Sequence, residues 1–325
     1  MSNLTAIIDA DVIKYAAAFV GQKNGIVVTH PTIGIEKSFN NRTEFYGHHA
    51  KKAGGWLAEY NQDRDSPLLP SEFTIEETVE PEPIENVLYT CKSMYKSMHE
   101  CIKATKHKGF RVERSTLLKY KGTRTLPKPV HLDAVTEYLE KRLKCEVVEI
   151  EEADERVVQE CYKKPHCIAS IVDKDYYGQP IRLFNINRPE EGIIDCTGFG
   201  KLWLDEKGDV RGYGRVWLYF QTLSKDDIDN YAANCFSDVR WGPKSAYKLL
   251  SPCLDDKKAL QSLVGGFKTL YPEPKTVVGW RGAEIDVDWL YVAQECFTMA
   301  RMRRVYGEAE VILADVFRRL GVDYE

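Results

Sequence analysis

The hydrophobic pattern at the start of the chain predicts a buried strand over residues 4–9 and an amphipathic helix over residues 12–20. The strand is apolar until it ends at Asp9, and Ile13, Ala16 and Val20 share one stripe of the helix. Residues 21–83 show weak periodicity, scattered Gly and Pro, and an acidic stretch over 72–85, which together indicate an insertion or linker. Helical spacing returns over residues 84–102, where the apolar stripe predicts a helix that faces the core.

From residue 132 onward the pattern alternates between helix and strand. It predicts a helix over 133–143, a strand over 145–150, a second helix from Glu151 and another strand over 167–172. Such alternation predicts a three-layer α/β fold with a mainly parallel sheet, in which active sites gather at the carboxyl ends of strands. Strand-like pieces follow over 178–194 and 201–214, and the pattern after residue 223 is helical. We therefore predict a core over residues 1–214 and a helical subdomain over residues 215–325.

The composition allows one large domain or two modest ones and excludes several classes of protein. Of the 325 residues, 43% are hydrophobic and 29% are charged, with a formal charge of −4, so the chain is neither disordered overall nor globally basic. It contains no membrane-length apolar run and no recognisable secretory signal, so we expect a cytoplasmic protein that does not bind membranes. The nine Cys include no Cys-x-x-Cys pair, which predicts reduced thiols rather than disulfides or a zinc site.

A local basic run lies within this slightly acidic chain. Residues 101–130 contain nine Lys and Arg and a single acid, Glu113. Such a run is as often a solvated surface as a binding site, but nucleic-acid binding by this chain has to come from a local patch of this kind.

Acidic residues recur at the predicted ends of strands and starts of helices. They fall in four segments: Ile7-Ile-Asp9-Ala-Asp11, Glu152-Ala-Asp154-Glu155, Ile171-Val-Asp173-Lys-Asp175 and Lys225-Asp226-Asp-Ile-Asp229-Asn230. A spacing of two residues in an extended segment points both acids to one face, and Asp226 and Asp229 share a face of the predicted helix. Helix capping explains any one pair better than a shared site does. It does not explain the ordered set of four.

The chemistry that converging carboxylates allow is metal binding. Carboxylates at short range repel and raise one another's pKa unless cations hold them together, and clusters of hard oxygen ligands suit Mg²⁺ or Mn²⁺ better than zinc. Two such ions, one activating water and one supporting the leaving oxygen, are typical of phosphodiesterases. The basic run adds an attraction for a polyanionic substrate. The sequence therefore predicts a two-metal phosphodiesterase that acts on nucleic acid.

Taken together, these motifs resemble the flap endonuclease and 5′→3′ exonuclease family, most closely the exonucleases of short-tailed bacteriophages. Asp9 stands where the family has its first metal-binding Asp. The later matches are Tyr120-Lys121-Gly122-Thr123-Arg124 to Tyr-Lys-x-x-Arg, Glu152-Ala-Asp154 to Glu-x-Asp, Asp173-Lys-Asp175 to Asp-Lys-Asp, and Lys225-Asp226-Asp-Ile-Asp229-Asn230 to Gly-Asp-x-x-Asp-Asn. Phe220-Gln-Thr and Met299-Ala-Arg-Met are similar to features of the phage branch. The likeness spans most of the chain.

The resemblance implies a fold. It implies a PIN-like three-layer core over residues 1–214, with an insertion or arch at about 21–130, and a helix-three-turn-helix subdomain over residues 215–325. Residues 242–250 are similar to the hairpin and second helix of that motif, whose backbone amides bind duplex phosphates. We therefore expect DNA contacts at Gly242, Lys244 and Ser245. Lys248 either assists them or is simply solvated.

The resemblance also implies roles for the site residues. Two ions, Mg²⁺ or Mn²⁺, would be held by seven carboxylates: the first by Asp9, Glu152, Asp154 and Asp173, the second by Asp175, Asp226 and Asp229. Asp154 and Asp173 would be catalytic, together with Lys121 and Arg124, which would neutralise the scissile phosphate. Tyr120 would either stack on an unpaired base or pack in the core.

The activity implied is that of a structure-selective 5′→3′ exonuclease. Its substrates would be duplex DNA with 5′ ends or flaps and RNA/DNA hybrids, in phage DNA replication and host DNA breakdown within the host cytoplasm. Replication proteins would be further partners. An RNA-directed nuclease of the wider fold class is a second possibility, which the helix-three-turn-helix likeness disfavours.

The chain departs from the family pattern in three places. The family would place a further metal-binding Asp near Lys106, Glu155 stands where many relatives have Asp, and residues 235–241 lack the usual glycines. The missing acid motivates an alternative, a catalytically weakened relative that binds branched DNA or a replication partner without cutting.

Overall fold

The computed structural model describes residues 5–48, 53–96, 100–104, 110–123, 127–149 and 151–325. Arg124 and Lys106 lie outside these residues. The strands are β1 Thr5–Asp9, β2 Gln22–His30, β3 Ile35–Phe39, β4 Gly47–His48, β5 Ala53–Gly54, β6 Thr74–Pro81, β7 Glu100–Ala104, β8 Glu146–Val148, β9 Cys167–Ile171, β10 Arg182–Asn185, β11 Ile193–Asp195, β12 Lys201–Leu204, β13 Val210–Tyr213, β14 Lys225–Asp226, β15 Tyr231–Ala232, β16 Lys275–Val278 and β17 Glu284–Val287.

Twelve α-helices occur within the described residues. They are α1 Ala10–Val20, α2 Arg42–Tyr46, α3 Trp56–Tyr60, α4 Ile84–Lys96, α5 Phe110–Arg114, α6 Leu132–Lys141, α7 Ala153–Lys163, α8 Arg215–Thr222, α9 Pro243–Leu250, α10 Asp256–Leu270, α11 Trp289–Ala300 and α12 Leu313–Leu320. None of the described helices combines the length and the apolar character needed to cross a membrane.

The chain divides into two compact units. The first comprises residues 1–13, 94–127 and 139–325, and the second comprises residues 14–93 and 128–138. The first unit contains a six-stranded sheet in the order β11-β10-β9-β1-β7-β8. All neighbouring strands in it are parallel except β10 and β11. The predicted α/β fold with a mainly parallel sheet is confirmed.

The hydrophobic core of the first unit begins in the sheet and continues into the carboxyl-terminal helices. Helix α7 packs across β1, β7 and β9. The buried positions of β1 and β9 are largely apolar and include Ile7, Ile8 and Ala169. The same core includes Ile171 and Leu183 of the sheet and Val216, Phe267 and Phe317 of the later helices. The expected subdomain boundary near residue 215 stays a prediction.

The second unit is a small antiparallel structure with its own core. Its three-stranded sheet has the order β3-β2-β6, and a cluster of Ile26, Val28, Phe45, Leu57 and Phe73 is buried beneath it. The weak periodicity of residues 21–83 predicted an insertion or linker and not these elements. The reason is that β6 has almost no buried position, while α2 and α3 have five residues each, too few for a helical period to show.

Three local predictions were wrong. The helix predicted over 84–102 ends at Lys96, and Ile102 lies in β7. Asp226 lies in β14 and Asp229 lies in the turn that follows it, so neither is on the predicted helix. The pattern taken as helical to the end of the chain contains the hairpin of β16 and β17. In each case the strand is too short for its alternation of apolar and polar residues to be told from the spacing of a helix.

Gly200 lies where two backbones meet, with a positive φ. A Cβ on Gly200 (φ +80°) would lie 1.8 Å from the carbonyl oxygen of Tyr213, whereas one on Gly208 (φ +77°) would meet nothing within 4 Å. We expect Gly200→Ala to lower the free energy of unfolding by about 2–3 kcal/mol, because it adds a backbone clash to the conformational strain. Gly208→Ala carries the strain alone and should cost about 1 kcal/mol. Urea denaturation measures both, and equal losses would contradict the packing argument.

The eight described Cys are all free thiols, and six of them are buried.

Candidate functional site

The predicted acids of the first unit lie at one edge of the parallel sheet. Asp9 is the last residue of β1, and Asp173 follows β9, the parallel neighbour of β1. Glu152 is the residue that precedes α7 at its amino terminus, and Asp154 lies in the first turn of this helix. Because the carboxyl ends of parallel strands meet at one edge, these acids approach each other although they are far apart in the chain.

Several of these acids also satisfy local backbone groups. The carboxylate of Asp9 accepts the N–H of Asp11 at 3.0 Å, and that of Asp173 accepts the N–H of Asp175 at 3.1 Å. The carboxylate of Asp226 accepts the N–H groups of Ile228 and Asp229 at 2.8 and 2.9 Å. These bonds are the capping role that the sequence also allowed. They fix the carboxylates in place, so capping and convergence occur together.

All seven predicted carboxylates belong to one network, which we call the carboxylate cluster. Its members are Asp9, Glu152, Asp154, Asp173, Asp175, Asp226 and Asp229. Asp9 is repelled by Asp154, Asp154 by Glu152, and Asp175 by Asp173, Asp226 and Asp229. Five of the seven residues are buried, and the carboxyl group of a sixth, Asp154, is buried as well.

Arg111 lies inside this cluster. Its guanidinium group pairs with Glu152 at 3.0 Å, Asp154 at 2.5 Å and Asp229 at 3.2 Å. Only 1% of Arg111 is exposed. An unpaired charge at such depth would cost several kcal/mol, so Arg111 and the three carboxylates stabilise one another.

Lys121 and Tyr120 contact the same carboxylates as Arg111. The Lys121 ammonium pairs with Glu152 at 2.5 Å, and its backbone has a φ of 55°, which residues other than Gly rarely adopt. The Lys121 N–H donates to the carbonyl of Asp229, which helps to hold this conformation. Tyr120 is 5% exposed, with its hydroxyl between Glu152 and Asp229. This position matches the packing role of Tyr120, while its DNA-binding role stays a prediction.

Three further side chains position the other carboxylates. The Tyr176 hydroxyl donates to Asp9 at 3.0 Å, and the Gln221 amide donates to Asp175 at 2.6 Å. The Lys174 ammonium pairs with Asp226 at 2.6 Å. The cluster therefore sets seven carboxylates against three cations, Arg111, Lys121 and Lys174.

The pKa values of the cluster diverge because burial and the neighbouring charges act with different strength on each carboxyl group. Burial, with Asp11 and Asp154 adding to it, raises the pKa of Asp9 to about 8. Burial also raises the pKa of Asp154 to about 7, despite its ion pair with Arg111. Burial acts on Glu152 in the same direction, but Arg111 and Lys121 outweigh it and lower the pKa of that carboxyl to about 2. The pKa of Asp175 is raised well above its usual range by burial and by Asp173.

The donor chemistry of the cluster fits a hard divalent cation. Within the described part of the chain, no group of three or more His, Cys, Asp and Glu side chains has the arrangement of a preformed metal site. The donors themselves are carboxylate oxygens, the ligands that Mg²⁺ and Mn²⁺ prefer. Burial is the main cause of the raised pKa values of Asp9, Asp154 and Asp175, and neighbouring carboxylates raise them further. A divalent cation would relieve the repulsion between these carboxylates. Among the described residues Asp9, Asp173 and Asp175 are the members of the cluster that form no ion pair with Arg111, Lys121 or Lys174.

A cavity of about 520 Å³ opens beside Asp226 and Lys174. Aromatic side chains line it, including Trp203, Trp217 and Phe220, and it extends to Pro243, the first residue of α9. This volume falls in the range of ligand-binding cavities. The cluster therefore adjoins a cavity of the size that ligands occupy.

The residues predicted to contact duplex DNA lie on α9. Gly242 caps this helix, Lys244 and Ser245 lie in its first turn, and Lys248 lies in its last turn. Lys244 and Lys248 are exposed, whereas Ser245 is half-buried. None of the four joins the hydrogen bonds of the carboxylate cluster among the described residues. Arg124, the remaining predicted phosphate contact, lies outside the described residues.

Sequence reasoning missed four residues of the site: Arg111, Lys174, Tyr176 and Gln221. Arg111 was counted only as one of nine cations in the basic run. The signal that could have singled it out is electrostatic, because seven converging carboxylates require a buried counter-charge. Tyr176 carried no such signal, and Gln221 stood in the Phe220-Gln-Thr segment without an assigned role, since the roles of both depend on contacts with distant residues.

The raised pKa of Asp9 predicts that the metal-free protein loses stability as the pH rises. Its pKa is near 3.8 when unfolded and about 8 when folded, so this contribution is complete below the lower value and is lost as the pH rises toward the upper one. As the pH rises from about 5 to 7, we expect the free energy of unfolding to fall by up to about 1.4 kcal/mol per pH unit because of Asp9. Urea titrations in EDTA measure this slope. Asp9→Asn, which cannot ionise, should give a shallower slope, and parallel slopes would contradict the prediction.

Comparison with models of known protein families and with curated protein sequences found no match.

Proposed function

We propose that this protein is a Mg²⁺-dependent, structure-selective 5′→3′ exonuclease of the flap endonuclease type. The observation that carries the proposal is the convergence of seven carboxylates, from four segments of the chain, beside the Lys121 ammonium in one largely buried network. Caps scattered over separate surfaces would not repel one another in this way. The substrates proposed are the 5′ ends or flaps of duplex DNA, with RNA/DNA hybrids as a second class.

The residues of the cluster have separate roles in this proposal. Asp9, Glu152, Asp154 and Asp173 would hold one ion, and Asp175, Asp226 and Asp229 a second. The chemistry that Mg²⁺ supplies when bound by such carboxylates is the activation of water and the support of a leaving oxygen. Lys121 would bind the scissile phosphate and offset its developing negative charge. Arg124 would act beside it.

Tyr176, Gln221 and the backbone N–H groups would orient the carboxylates. Each carboxylate that they hold is fixed before substrate arrives, which lowers the cost of organising the site. The proposal thus rests on residues that the fold fixes in position.

The finer identity of the fold belongs to the same proposal. A PIN-like core would present the acids at the carboxyl ends of β1 and β9. Helix α9, capped by Gly242 and preceded by the loop over residues 235–241, would be the second helix of a helix-three-turn-helix that binds duplex phosphates. The exposed Lys244 and Lys248 support phosphate contacts, which select for shape rather than base sequence.

Arg111 favours an alternative function as well. Its guanidinium group already neutralises three of the seven proposed ligands. A centre whose carboxylates are neutralised by bound metal ions does not need such an internal cation. The alternative is a catalytically weakened relative that binds branched DNA or a replication partner. In that protein Arg111 would serve as a permanent internal cation.

A labelled-duplex assay tests the proposal. Duplex DNA labelled at the 5′ end should release short labelled products with Mg²⁺ and none with EDTA, whereas the same duplex labelled at the 3′ end should shorten progressively. Release in both conditions would contradict metal dependence. Tight binding to the duplex with no release in either condition would favour the binding module.

A further inference from the structure

Four arginines converge on a second cavity, which we call the arginine pocket. Its volume is about 470 Å³, and its cationic lining consists of Arg215 at the start of α8, Arg301 and Arg304 after α11, and Arg319 of α12. None of these residues belongs to the carboxylate cluster. The pocket therefore requires an explanation of its own.

Two of the four arginines are neutralised within the protein. Arg215 forms a bidentate pair with Asp256 at 2.8 and 2.9 Å, and Arg301 forms one with Glu308 at 2.6 and 3.1 Å. Asp256 also accepts the Tyr219 hydroxyl, and Glu308 accepts the backbone N–H of Arg304. The two acids of the pocket are thus fully engaged.

The other two arginines, Arg304 and Arg319, form no direct ion pair with a carboxylate of the described residues, although Glu308, which is paired with Arg301, also attracts Arg304. The buried Nε of Arg304 has no hydrogen-bond partner among the described residues. Burial, together with the neighbouring charge of Arg301, lowers the pKa of Arg304 to about 10. A guanidinium group in this position is destabilising unless an anion joins it. The pocket therefore has an excess of two positive charges.

The remaining walls of the pocket are apolar. They are formed by Leu218, Phe297, Val311, Val316 and Leu320. Guanidinium groups bind phosphate in a bidentate manner, and two of them suit a dianion. The pocket is larger than an inorganic phosphate ion, and its apolar walls would not contact such an ion. Both features favour a phosphate that carries an organic group.

We propose that the arginine pocket binds a small phosphomonoester of the size of a nucleoside 5′-monophosphate. Arg304 and Arg319 contact the phosphate, and the apolar walls contact the organic group. This site is separate from the proposed nuclease centre and does not depend on it.

Calorimetric titration with dAMP in EDTA tests the proposal, because the chelator keeps metal out of the carboxylate cluster. We expect saturable binding to the full chain, with inorganic phosphate and deoxyadenosine each binding at least about tenfold more weakly. Arg319→Gln should lower the affinity for dAMP about tenfold, because one charge-assisted hydrogen-bonding group is lost. Arg318→Gln is the matched control, since Arg318 neighbours it on α12 but pairs with Asp315 outside the pocket.

Arg304→Met supplies a second test that separates binding from folding. It should lower the affinity for dAMP at least as strongly as Arg319→Gln, while the melting temperature without ligand stays the same or rises, because an uncompensated charge is removed. Absence of saturable dAMP binding would overturn the proposal, as would an equal loss in Arg318→Gln. Equal affinity for inorganic phosphate would overturn the role of the organic group. Tighter binding of a 5′-phosphorylated trinucleotide than of dAMP would assign the pocket to a strand end instead.

Discussion

Asp173→Asn should lower the Mg²⁺-dependent release of 5′-terminal nucleotides about 10³-fold while binding to duplex DNA persists. Asp173 caps the turn after β9, and its carboxylate repels that of Asp175 within the cluster. Asn keeps the shape and can still accept the N–H of Asp175, so the turn is preserved while one negative charge is lost. Single-turnover cleavage of a 5′-labelled duplex measures the rate, and a mobility shift in EDTA measures the binding.

Asp227→Asn is the control for this variant. Asp227 lies between two members of the cluster, but its side chain is exposed and pairs with Lys225. The same loss of charge at this position should leave cleavage within about twofold of the wild type. Equal effects of the two substitutions would show that general electrostatics, and not the cluster, govern cleavage. Wild-type protein that binds duplex without cutting it would instead support the alternative of a binding module.

Arg111→Met should lower the free energy of unfolding by about 3–5 kcal/mol in EDTA at pH 8, because it leaves three buried carboxylates without their common cation. The loss should shrink on addition of Mg²⁺, which would bind the carboxylates that Arg111 has vacated. It should also shrink near pH 5, where protonation of Asp154 removes part of the repulsion. Urea denaturation under the three conditions measures these differences.

Arg114→Met on the same short helix is the matched control. The Arg114 side chain is half exposed and pairs with Glu310, so its removal should cost no more than about 1 kcal/mol. Similar losses for the two variants would mean that helix α5 itself, rather than charge neutralisation by Arg111, explains the effect. A loss in Arg111→Met that does not respond to Mg²⁺ would weaken the assignment of the cluster as a metal centre.

Much of the candidate site could be predicted from the sequence because strand ends are local features. Asp9 and Asp173 each follow a short apolar run, and parallel strands bring such termini together whatever their order in the chain. The acids of residues 152–154 and 226–229 were also identified, although the second pair lies in a turn and not on a helix. Spacing alone therefore identified the acids without identifying the element that carries each one.

The missing parts depend on contacts between distant residues. Arg111 reaches Asp229 across 118 positions, and no local pattern distinguishes it from the solvated cations around it. The folded second unit was missed for a related reason: its core is a small aromatic cluster assembled from short elements, in which Phe45 contacts Trp56 and Phe73. Short elements that are stabilised by long-range packing leave a weak period in the sequence.

Strand β6 is an edge strand of the sheet in the second unit, and the backbone groups on its outer side have no strand partner among the described residues. An open edge of this kind invites pairing between copies of a chain. Here the edge carries Glu76, Glu77 and Glu80 and ends at Pro81, which lacks an amide hydrogen. Two such edges would repel each other on approach, so concentrated solutions of the protein should resist fibril formation at low ionic strength and become more prone to it as salt is added.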